Sequence, residues 1–220
     1  MSFEADTLSL SRGGRRLISG LSFCVARGEA LILRGPNGVG KTSLLRAIAG
    51  LGRLDSGTIR FDGTAQTDRD AWSEIAVLGA HADAHKAQLT IHENLAFWAR
   101  IYGGDLAKSL KALDLEPIQT RLAGACSAGQ RRRLGLARLV LSRRPLWLLD
   151  EPTVSLDAAS VQRLSSAISA HLNTGGIAII ATHDTDVIPG ARTLTLEPHV
   201  PGAEAAEAAP DDPFLAGDLS

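Results

Sequence analysis

A glycine-rich segment between an apolar run and a helical pattern has the residue types that cradle a phosphate group. It reads GPNGVGKTS and consists of Gly35, Pro36, Asn37, Gly38, Val39, Gly40, Lys41, Thr42 and Ser43. Its glycines allow backbone angles that other residues resist, so several N–H groups can converge on one anion. Lys41 can reach the outer phosphates, the Thr42 hydroxyl can bind Mg²⁺, and a helix starting near Lys41 adds its dipole. The motif and its flanking pattern together predict a nucleotide-binding site.

Two consecutive acids follow a second apolar run, at 146–149. Asp150, at the carboxyl end of a buried strand, can hold Mg²⁺, usually through water. Glu151 points to the other side of the extended chain and is the candidate to polarise an attacking water. Many buried strands end in an acid, so this pair gains its meaning from the phosphate loop. Together the two motifs predict nucleotide hydrolysis.

Length and composition favour one domain that can bury a sizeable core. The 220 residues include 23 Lys and Arg and 24 Asp and Glu, with no Lys or Arg after Arg192. The resulting basic excess in the rest of the chain is too small to indicate nucleic acid. Cys24 and Cys126 form no CxxC pattern, so we expect two buried or inert thiols. With no leader at the start and no run of 18 apolar residues, we expect a cytosolic chain that does not itself span a membrane.

Apolar periodicity supplies the elements that position these residues. Strands are predicted at 3–10, 21–25, 29–34, 58–61, 75–78, 146–149, 176–181 and 193–196. Helices are predicted at 42–49, from 90 onward, around 106–113, at 127–142 and at 156–172. The first strands look antiparallel, with a hairpin at Asp62-Gly63, and then strands and helices alternate. This order predicts an α/β fold with a mainly parallel sheet, an antiparallel N-terminal part and an inserted helical subdomain at about 84–143. Residues 197–220 are rich in Ala, Pro and acids and predict a flexible or loosely docked tail.

Two features of the helical stretch allow more than one interpretation. Thr90 and Glu93 predict a capping box, after which Ile91, Leu95, Trp98 and Tyr102 share roughly one helix face. Core packing is the simpler interpretation of this stripe, and a ligand pocket is the alternative. Six arginines, Arg131, Arg132, Arg133, Arg138, Arg143 and Arg144, form the densest charge in the chain. They indicate either a solvated helix face, which is the simpler interpretation, or a surface for an acidic partner.

Three further segments stand in the order and spacing of a known family. They are Cys126-Ser127-Ala128-Gly129-Gln130, about 20 residues before Asp150, Ser155-Leu156-Asp157, and Thr182-His183-Asp184. They resemble the signature motif, the D-loop and the switch histidine of ATP-binding cassette (ABC) ATPases. The resemblance covers about residues 1–196 and implies the P-loop ABC ATPase fold, with ATP and Mg²⁺ as ligands. Under it, Asp157 belongs to the nucleotide site and His183 senses the γ-phosphate.

The signature segment predicts a second anion site, because Ser127 and Gly129 would place backbone N–H groups at the start of a helix. The resemblance implies that this site binds the γ-phosphate held on the phosphate loop of a second copy. Two copies would then enclose two ATP molecules, and hydrolysis would let the homodimer open. Such a two-state element can drive a partner protein.

The chain departs from the general family pattern in three places. Ala128 replaces the first signature glycine and Cys126 replaces a leucine, although the backbone donors survive. Residues 80–83 stand where the family usually has a glutamine that contacts Mg²⁺ and the membrane partner, and Gln88 comes too late to replace it. No aromatic residue precedes the phosphate loop at the distance where adenine normally stacks. Arg12 lies about there, and a guanidinium can stack on a base.

A narrower resemblance rests on the small size, the Ser-Ala-Gly-Gln signature and the segments 19–23, 89–102 and 146–157. These are similar to the ATP-binding subunit of the bacterial cytochrome c maturation, or haem exporter, ABC complex. The resemblance implies a peripheral ATPase on the cytoplasmic side of the inner membrane, bound to integral membrane subunits and powering haem release to a periplasmic chaperone. No direct haem site is expected in this chain.

Two other functions stay open at this stage. One is the ATPase subunit of another small ABC exporter. The other is a soluble ABC-type switch acting on ribosomes or DNA, but such proteins usually join two of these domains in one chain. This chain has one such domain and no basic tract interleaved with aromatic residues, so it is the less favoured alternative.

Overall fold

The computed structural model describes residues 2–80, 85–184 and 188–198. Its strands are β1 (Ser2–Arg12), β2 (Arg15–Ala26), β3 (Ala30–Arg34), β4 (Ser56–Phe61), β5 (Thr64–Ala65), β6 (Ala76–Gly79), β7 (Leu146–Asp150), β8 (Ile177–Ala181) and β9 (Arg192–Thr195). Its helices are α1 (Lys41–Ile48), α2 (Arg69–Ile75), α3 (Ile91–Tyr102), α4 (Leu106–Ala112), α5 (Ala128–Ser142) and α6 (Ala158–Asn173). Among the helices of the described residues, none has the length and apolar character needed to cross a bilayer.

A parallel sheet in the order β6-β7-β8-β3-β9 organises the molecule. All five residues of β7 and of β8 are buried, as expected for strands covered on both faces. Because parallel strands end at the same edge, β3, β7 and β8 lead into Gly35, Glu151 and Thr182 side by side. The predicted α/β fold is confirmed, and it brings the separate motifs to one edge of one sheet.

An antiparallel sheet in the order β2-β1-β4-β5 lies beside it, as the first part of the sequence predicts. The predicted turn at Asp62-Gly63 is confirmed, since Phe61 pairs with Thr64 across it. Strand β2 begins at Arg15, earlier than the predicted start at residue 21, because only Ile18 among its first six residues is buried and the apolar signal there is weak. The longer β1–β2 hairpin brings Arg12 toward the phosphate loop.

Helices α3, α4 and α5 pack into a second core with β6 and β7. The capping box at Thr90 and Glu93 is confirmed, and Ile91 and Leu95 are fully buried, in agreement with the core-packing interpretation of the stripe. Helix α2 was not predicted. It has seven residues, of which only Trp72 is buried, so its apolar periodicity is too weak to identify it. Both cysteines are free thiols, Cys126 buried and Cys24 exposed.

Two arginines of α5 and one just after it bind carbonyls along β6 and at its end, and β6 is an edge strand of the described sheet. The contacts are Arg132 to Ala80, Arg138 to Leu78 and Arg144 to Ala76, at 2.7, 2.8 and 3.4 Å. The step from Arg132 to Arg138 covers six residues of the helix, about 9 Å, and accompanies a step of two residues along the strand, about 6.6 Å. We call Arg132, Arg138 and Arg144 the arginine ladder. Arg138 and Arg144 also lie over the rings of Trp98 and Tyr102, so α3 covers the arginine ladder from outside.

The interpretation of the α5 arginines as a solvated face is therefore wrong. Arg133 donates to Asp114, and Arg131 donates to the carbonyl of Cys126. Of the six arginines, only Arg143 is exposed. The guanidinium groups donate here to backbone carbonyls of a strand edge and of loops. Every residue type supplies such a carbonyl, so the sequence does not reveal these partners.

The ring of His171 on α6 stacks on that of Trp147 on β7, with centroids 4.0 Å apart and planes at 9°. Burial lowers the pKa of His171 to about 4 from its ordinary 6.5, because the charged ring would lose solvation there. As the pH falls from 7.5 to 5.5, the unfolded chain takes up a proton that the folded chain does not. We expect this residue to reduce the free energy of unfolding by about 1 kcal/mol over that interval, as measured by urea unfolding.

Removing the ring nitrogens tests this expectation. His171→Phe should flatten the dependence on pH between 7.5 and 5.5 by that amount, since a phenyl ring takes up no proton. His92→Phe, at an exposed position on α3, serves as the matched control and should keep the dependence of the original chain. Equal slopes for His171→Phe and the original chain would contradict the assignment.

Candidate functional site

The phosphate loop connects β3 to α1 at the carboxyl edge of the parallel sheet. Helix α1 begins at Lys41, with Gly40 as its N-cap in a left-handed conformation. Gly35 has φ 139°, and a Cβ added there would stand 2.4 Å from the carbonyl oxygen of Leu196. A Cβ on Gly40 would stand 3.2 Å from the Cβ of Leu17. Conformation and space therefore both require glycine at these two positions.

Lys41 folds back over this loop and is only 8 % exposed. Its Nζ donates to the carbonyl oxygens of Gly35 at 2.6 Å and Pro36 at 3.3 Å. Within the described residues no carboxylate pairs with it, so the loop keeps a positive charge. A phosphate group held by the loop would neutralise that charge and accept hydrogen bonds from the ammonium group.

Thr42 and Asp150 meet directly across the site. The Thr42 hydroxyl donates to Oδ1 of Asp150 at 3.0 Å, and Asp150 is buried at the end of β7. Six ligands arranged octahedrally around Mg²⁺ at about 2.1 Å stand about 3 Å from their neighbours. These two oxygens therefore have the spacing of adjacent ligands of one Mg²⁺, so the residues present fit the predicted metal ion.

Glu151 stands where the chain leaves the sheet, in left-handed backbone with φ 44°. A residue other than glycine costs about 1 kcal/mol in that conformation, and such strain gathers at functional sites. Its Oε1 lies 3.6 Å from Nε2 of His183. The same Nε2 lies 3.2 Å from Oδ1 of Asn37 in the phosphate loop, 146 residues away in sequence. The structure thus brings the predicted base, the predicted switch histidine and the phosphate loop together.

The phosphate loop, Asp150 and Glu151 face a cleft of about 310 Å³. Its lining consists of Arg12, Leu17, Asn37, Gly38, Gly40, Lys41, Thr42, Ser43, Asp150 and Glu151. Arg12 comes from the end of β1, and it is the residue that the sequence predicts to stack on the base of a nucleotide. Leu17 was missed, because a single leucine in an exposed hairpin carries no motif. Pro36 and Val39 line an adjoining cavity with Arg15 and Arg16.

The signature segment forms a separate group around the start of α5. The Ser127 hydroxyl accepts from the backbone N–H of Gln130 at 3.2 Å, and Oε1 of Gln130 accepts from that of Ser127 at 3.0 Å. This capping box leaves Ser127 and Ala128 exposed at the end of the helix. A Cβ on Gly129 would stand 2.9 Å from the carbonyl oxygen of Ser155, so the segment packs on the chain that leads into α6.

Asp157 has a structural task in the same neighbourhood. Its side chain caps α6 by accepting from the backbone N–H of Ser160 at 2.8 Å. Hydrogen bonds from the side chain and backbone of Ser160 lower the pKa of Asp157. Neither Asp157 nor the segment 127–130 belongs to the described lining of the cleft. Within one chain, the predicted site residues therefore divide into a cleft group and a signature group.

Arg132 connects the two groups and was not predicted as a site residue. It lies on the second turn of α5 and is 5 % exposed. Besides Ala80, it donates to the carbonyl oxygens of Asp150 at 3.1 Å and Glu151 at 2.9 Å. The helix that begins at Ser127 is therefore tied to the strand end that carries both acids.

We expect Arg132→Lys to lower the free energy of unfolding by about 2–4 kcal/mol, since one ammonium group cannot replace a planar fork that reaches several carbonyls. Urea unfolding measures this change, and ATP turnover should fall with it because Glu151 loses its support. Arg163→Lys is the matched control, because Arg163 forms a surface pair with Asp114 at 3.3 Å worth less than about 1 kcal/mol. Equal losses in both variants would show that the carbonyl contacts do not explain the importance of Arg132.

One departure from the family pattern falls on residues that the structure does not describe. His81, Ala82 and Asp83, which stand in place of the expected glutamine, lie outside the described residues. Gln88 is exposed in the turn before α3, away from the described lining of the cleft.

Comparison with known proteins matches the sequence to a family. The sequence profile described as "ABC transporter" matches residues 18–154. The chain is 48 % identical to the "Cytochrome c biogenesis ATP-binding export protein CcmA" of Roseobacter denitrificans, over 98 % of this chain and 100 % of that protein. It is 50 % identical to the protein of the same name from a Ruegeria species, over 89 % of this chain and 91 % of that protein.

Solved structures share the fold at lower identity. An ATP-binding subunit of an ABC transporter matches 90 % of this chain and 86 % of its own, with a TM-score of 0.80 and 22 % identity. A dimeric ATP-binding cassette in a post-hydrolysis state, bound to ADP and Pi, matches 89 % of this chain and 94 % of its own, with a TM-score of 0.78 and 21 % identity.

Proposed function

This chain belongs to the ABC transporter family and, within it, to the cytochrome c biogenesis ATP-binding export proteins, and from that premise we propose that it powers haem delivery for cytochrome c maturation. The chain is an ATPase of the ABC type. The observation that best supports ATP hydrolysis by this chain is the contact of Thr42 with Asp150. Glu151 follows Asp150 in sequence, and Lys41 lies across the loop. The cargo follows from the relatives alone.

In this proposal the residues in and beside the cleft divide the steps of ATP binding and hydrolysis among them. Backbone N–H groups of the loop and the Lys41 ammonium group hold the β- and γ-phosphates. Thr42 and Asp150 hold Mg²⁺, which neutralises phosphate charge when bound. Glu151 orients the attacking water and accepts its proton at a carboxylate oxygen. His183 lies beside Glu151 and Asn37, from where its ring can donate to the γ-phosphate.

The base of the nucleotide is assigned to Arg12. Arg12 lines the cleft from the β1–β2 hairpin, and its guanidinium group can stack on adenine in place of an aromatic ring. Leu17, on the same hairpin, adds an apolar wall that a base can contact.

The signature group acts on a second copy of the chain. Ser127, Ala128 and Gly129 stand exposed or partly exposed at the start of α5, outside the described lining of the cleft in their own chain. An ATP-sandwich homodimer gives these N–H groups a γ-phosphate from the partner. The start of α6 at Asp157 lies in the same neighbourhood and belongs to that interface.

Integral membrane subunits are the second partner, and they place the chain peripherally on the cytoplasmic side of the inner membrane. Phe97 and Ile101 support this proposal, since they stand one turn apart on α3 and are 50 % and 54 % exposed. Large exposed apolar side chains of this kind mark protein contacts. We assign residues 1–196 to the ATPase domain and 84–143 to its helical subdomain, while the tail from 199 onward lies outside the described residues.

Co-purification from detergent-solubilised membranes tests this function. We expect the tagged full chain to recover integral membrane proteins of cytochrome c maturation, and the charge placed in Phe97→Asp/Ile101→Asp to abolish that recovery. Leu51→Asp is the matched control, because Leu51 is 63 % exposed on another surface and should not be needed. Recovery with a drug or lipid exporter would replace the haem assignment, and pelleting with ribosomes instead of membranes would establish the soluble switch.

A further inference from the structure

A second cavity, of about 360 Å³, lies at the opposite edge of the parallel sheet from the nucleotide cleft. Its lining includes Pro145 and Gly176, which directly precede β7 and β8. The nucleotide cleft lies beyond the far ends of the same strands. The length of β7 separates the two spaces by about 13 Å.

The lining of this cavity combines an apolar wall with cations. The apolar residues are Ala112, Val140, Pro145, Trp147, Ala167 and Ala170. The cations are Arg27, Lys108, Arg143 and Arg144, and the described lining contains no Asp or Glu. Small-molecule sites have this character, a mainly apolar surface with a few polar groups, and begin at about 300 Å³.

Two of these four cations form no ion pair within the described residues. They are Lys108 and Arg143. The other two are paired, Arg27 with Asp62 and Arg144 with Glu74. Arg143 also ends α5 in a left-handed conformation, with φ 52°, where glycine is the usual residue. Arg143 therefore occupies a backbone position that glycine would suit better.

We propose that this cavity binds a small organic acid, with a carboxylate or phosphate held by Arg143 and Lys108 and a flat apolar body against the wall that includes Ala112, Val140 and Ala167. The acid group supplies the countercharge that Arg143 and Lys108 lack among the described residues. The bound acid lies at the far end of β7 from Asp150, so it does not compete with nucleotide.

Calorimetric titration of the full chain tests the site, with the nucleotide cleft saturated by Mg²⁺ and ADP. The probes are 2-naphthoate and 2-naphthyl phosphate, and uncharged 2-naphthol is the control ligand. We expect at least one acid to bind about tenfold more tightly than 2-naphthol, because charged hydrogen bonds contribute at that level. The acid that binds more tightly identifies the head group. Equal affinity of the acids and 2-naphthol, or no acid binding at 10 mM, would overturn the proposal.

Variants separate this site from a general effect on folding. Arg143→Gly should weaken binding of the preferred acid about tenfold while raising the Tm, since glycine relieves the left-handed position. Lys108→Gln should weaken binding with an unchanged Tm, and Arg100→Gln, at an exposed position on α3, should change neither quantity. Basal ATP turnover should be the same in all three variants. Unchanged acid affinity in Arg143→Gly would show that the cavity is not the site.

Discussion

Lys41→Ala is expected to abolish measurable ATP turnover and to weaken ATP binding by at least about tenfold. The Lys41 ammonium group is buried against the loop carbonyls of Gly35 and Pro36, so it is already placed where the outer phosphates must lie. A hydrogen bond to a charged group is worth about 1.5–3 kcal/mol, and charge that develops in phosphoryl transfer makes the loss in turnover larger than the loss in binding. Fluorescent-nucleotide titration and a phosphate-release assay measure the two quantities separately.

Arg46→Ala is the matched control for Lys41→Ala. Arg46 is an exposed cation in the last turn of the same helix, so it tests whether any loss of charge from α1 has this effect. Both variants should unfold at similar urea concentrations. Turnover by Lys41→Ala within a few-fold of the original chain would exclude the phosphate loop as the site of ATP hydrolysis.

Glu151→Gln is expected to separate binding from chemistry. The amide keeps the size of the carboxylate but cannot accept the proton of the attacking water, so turnover should fall about 10²–10⁴-fold while ATP still binds. Because the shared γ-phosphate then persists, the variant should accumulate as a homodimer in Mg²⁺ and ATP. Single-turnover assays and sedimentation measure the two effects. Glu116→Gln, on an exposed turn, should hydrolyse ATP normally.

A second substitution in the Glu151→Gln background tests the arrangement of the dimer. Ser127→Arg places a bulky cation at the start of α5 and should prevent the dimer without reducing ATP binding to the single chain. A dimer that survives Ser127→Arg would place the interface elsewhere. Normal hydrolysis by Glu151→Gln alone would show that a different group activates the water.

Much of the fold follows from local signals in the sequence. Strands β3, β7 and β8 are predicted to within about one residue, because strands buried on both faces have continuous apolar runs. The starts of α3 and α5 follow from Thr90 and Ser127, whose capping boxes are local. By contrast α2 and the first half of β2 bury few side chains, so they carry little apolar signal.

The candidate site divides in the same way. The phosphate loop and Asp150-Glu151 are contiguous motifs, so the sequence alone predicts them. The distance between His183 and Asn37 depends on the order of strands in the sheet, which no local pattern specifies. Arg132 was missed for another reason, since its acceptors are backbone carbonyls and any residue can supply them.

The arginine ladder on β6 has a consequence for how copies of this chain behave in a crowded solution. An outer strand with unengaged carbonyls is a template on which another chain can add, and such addition leads to aggregation. Here Ala76, Leu78 and Ala80 already accept from side chains of the same molecule. The arginines therefore protect this margin of the sheet against the addition of a strand from another chain.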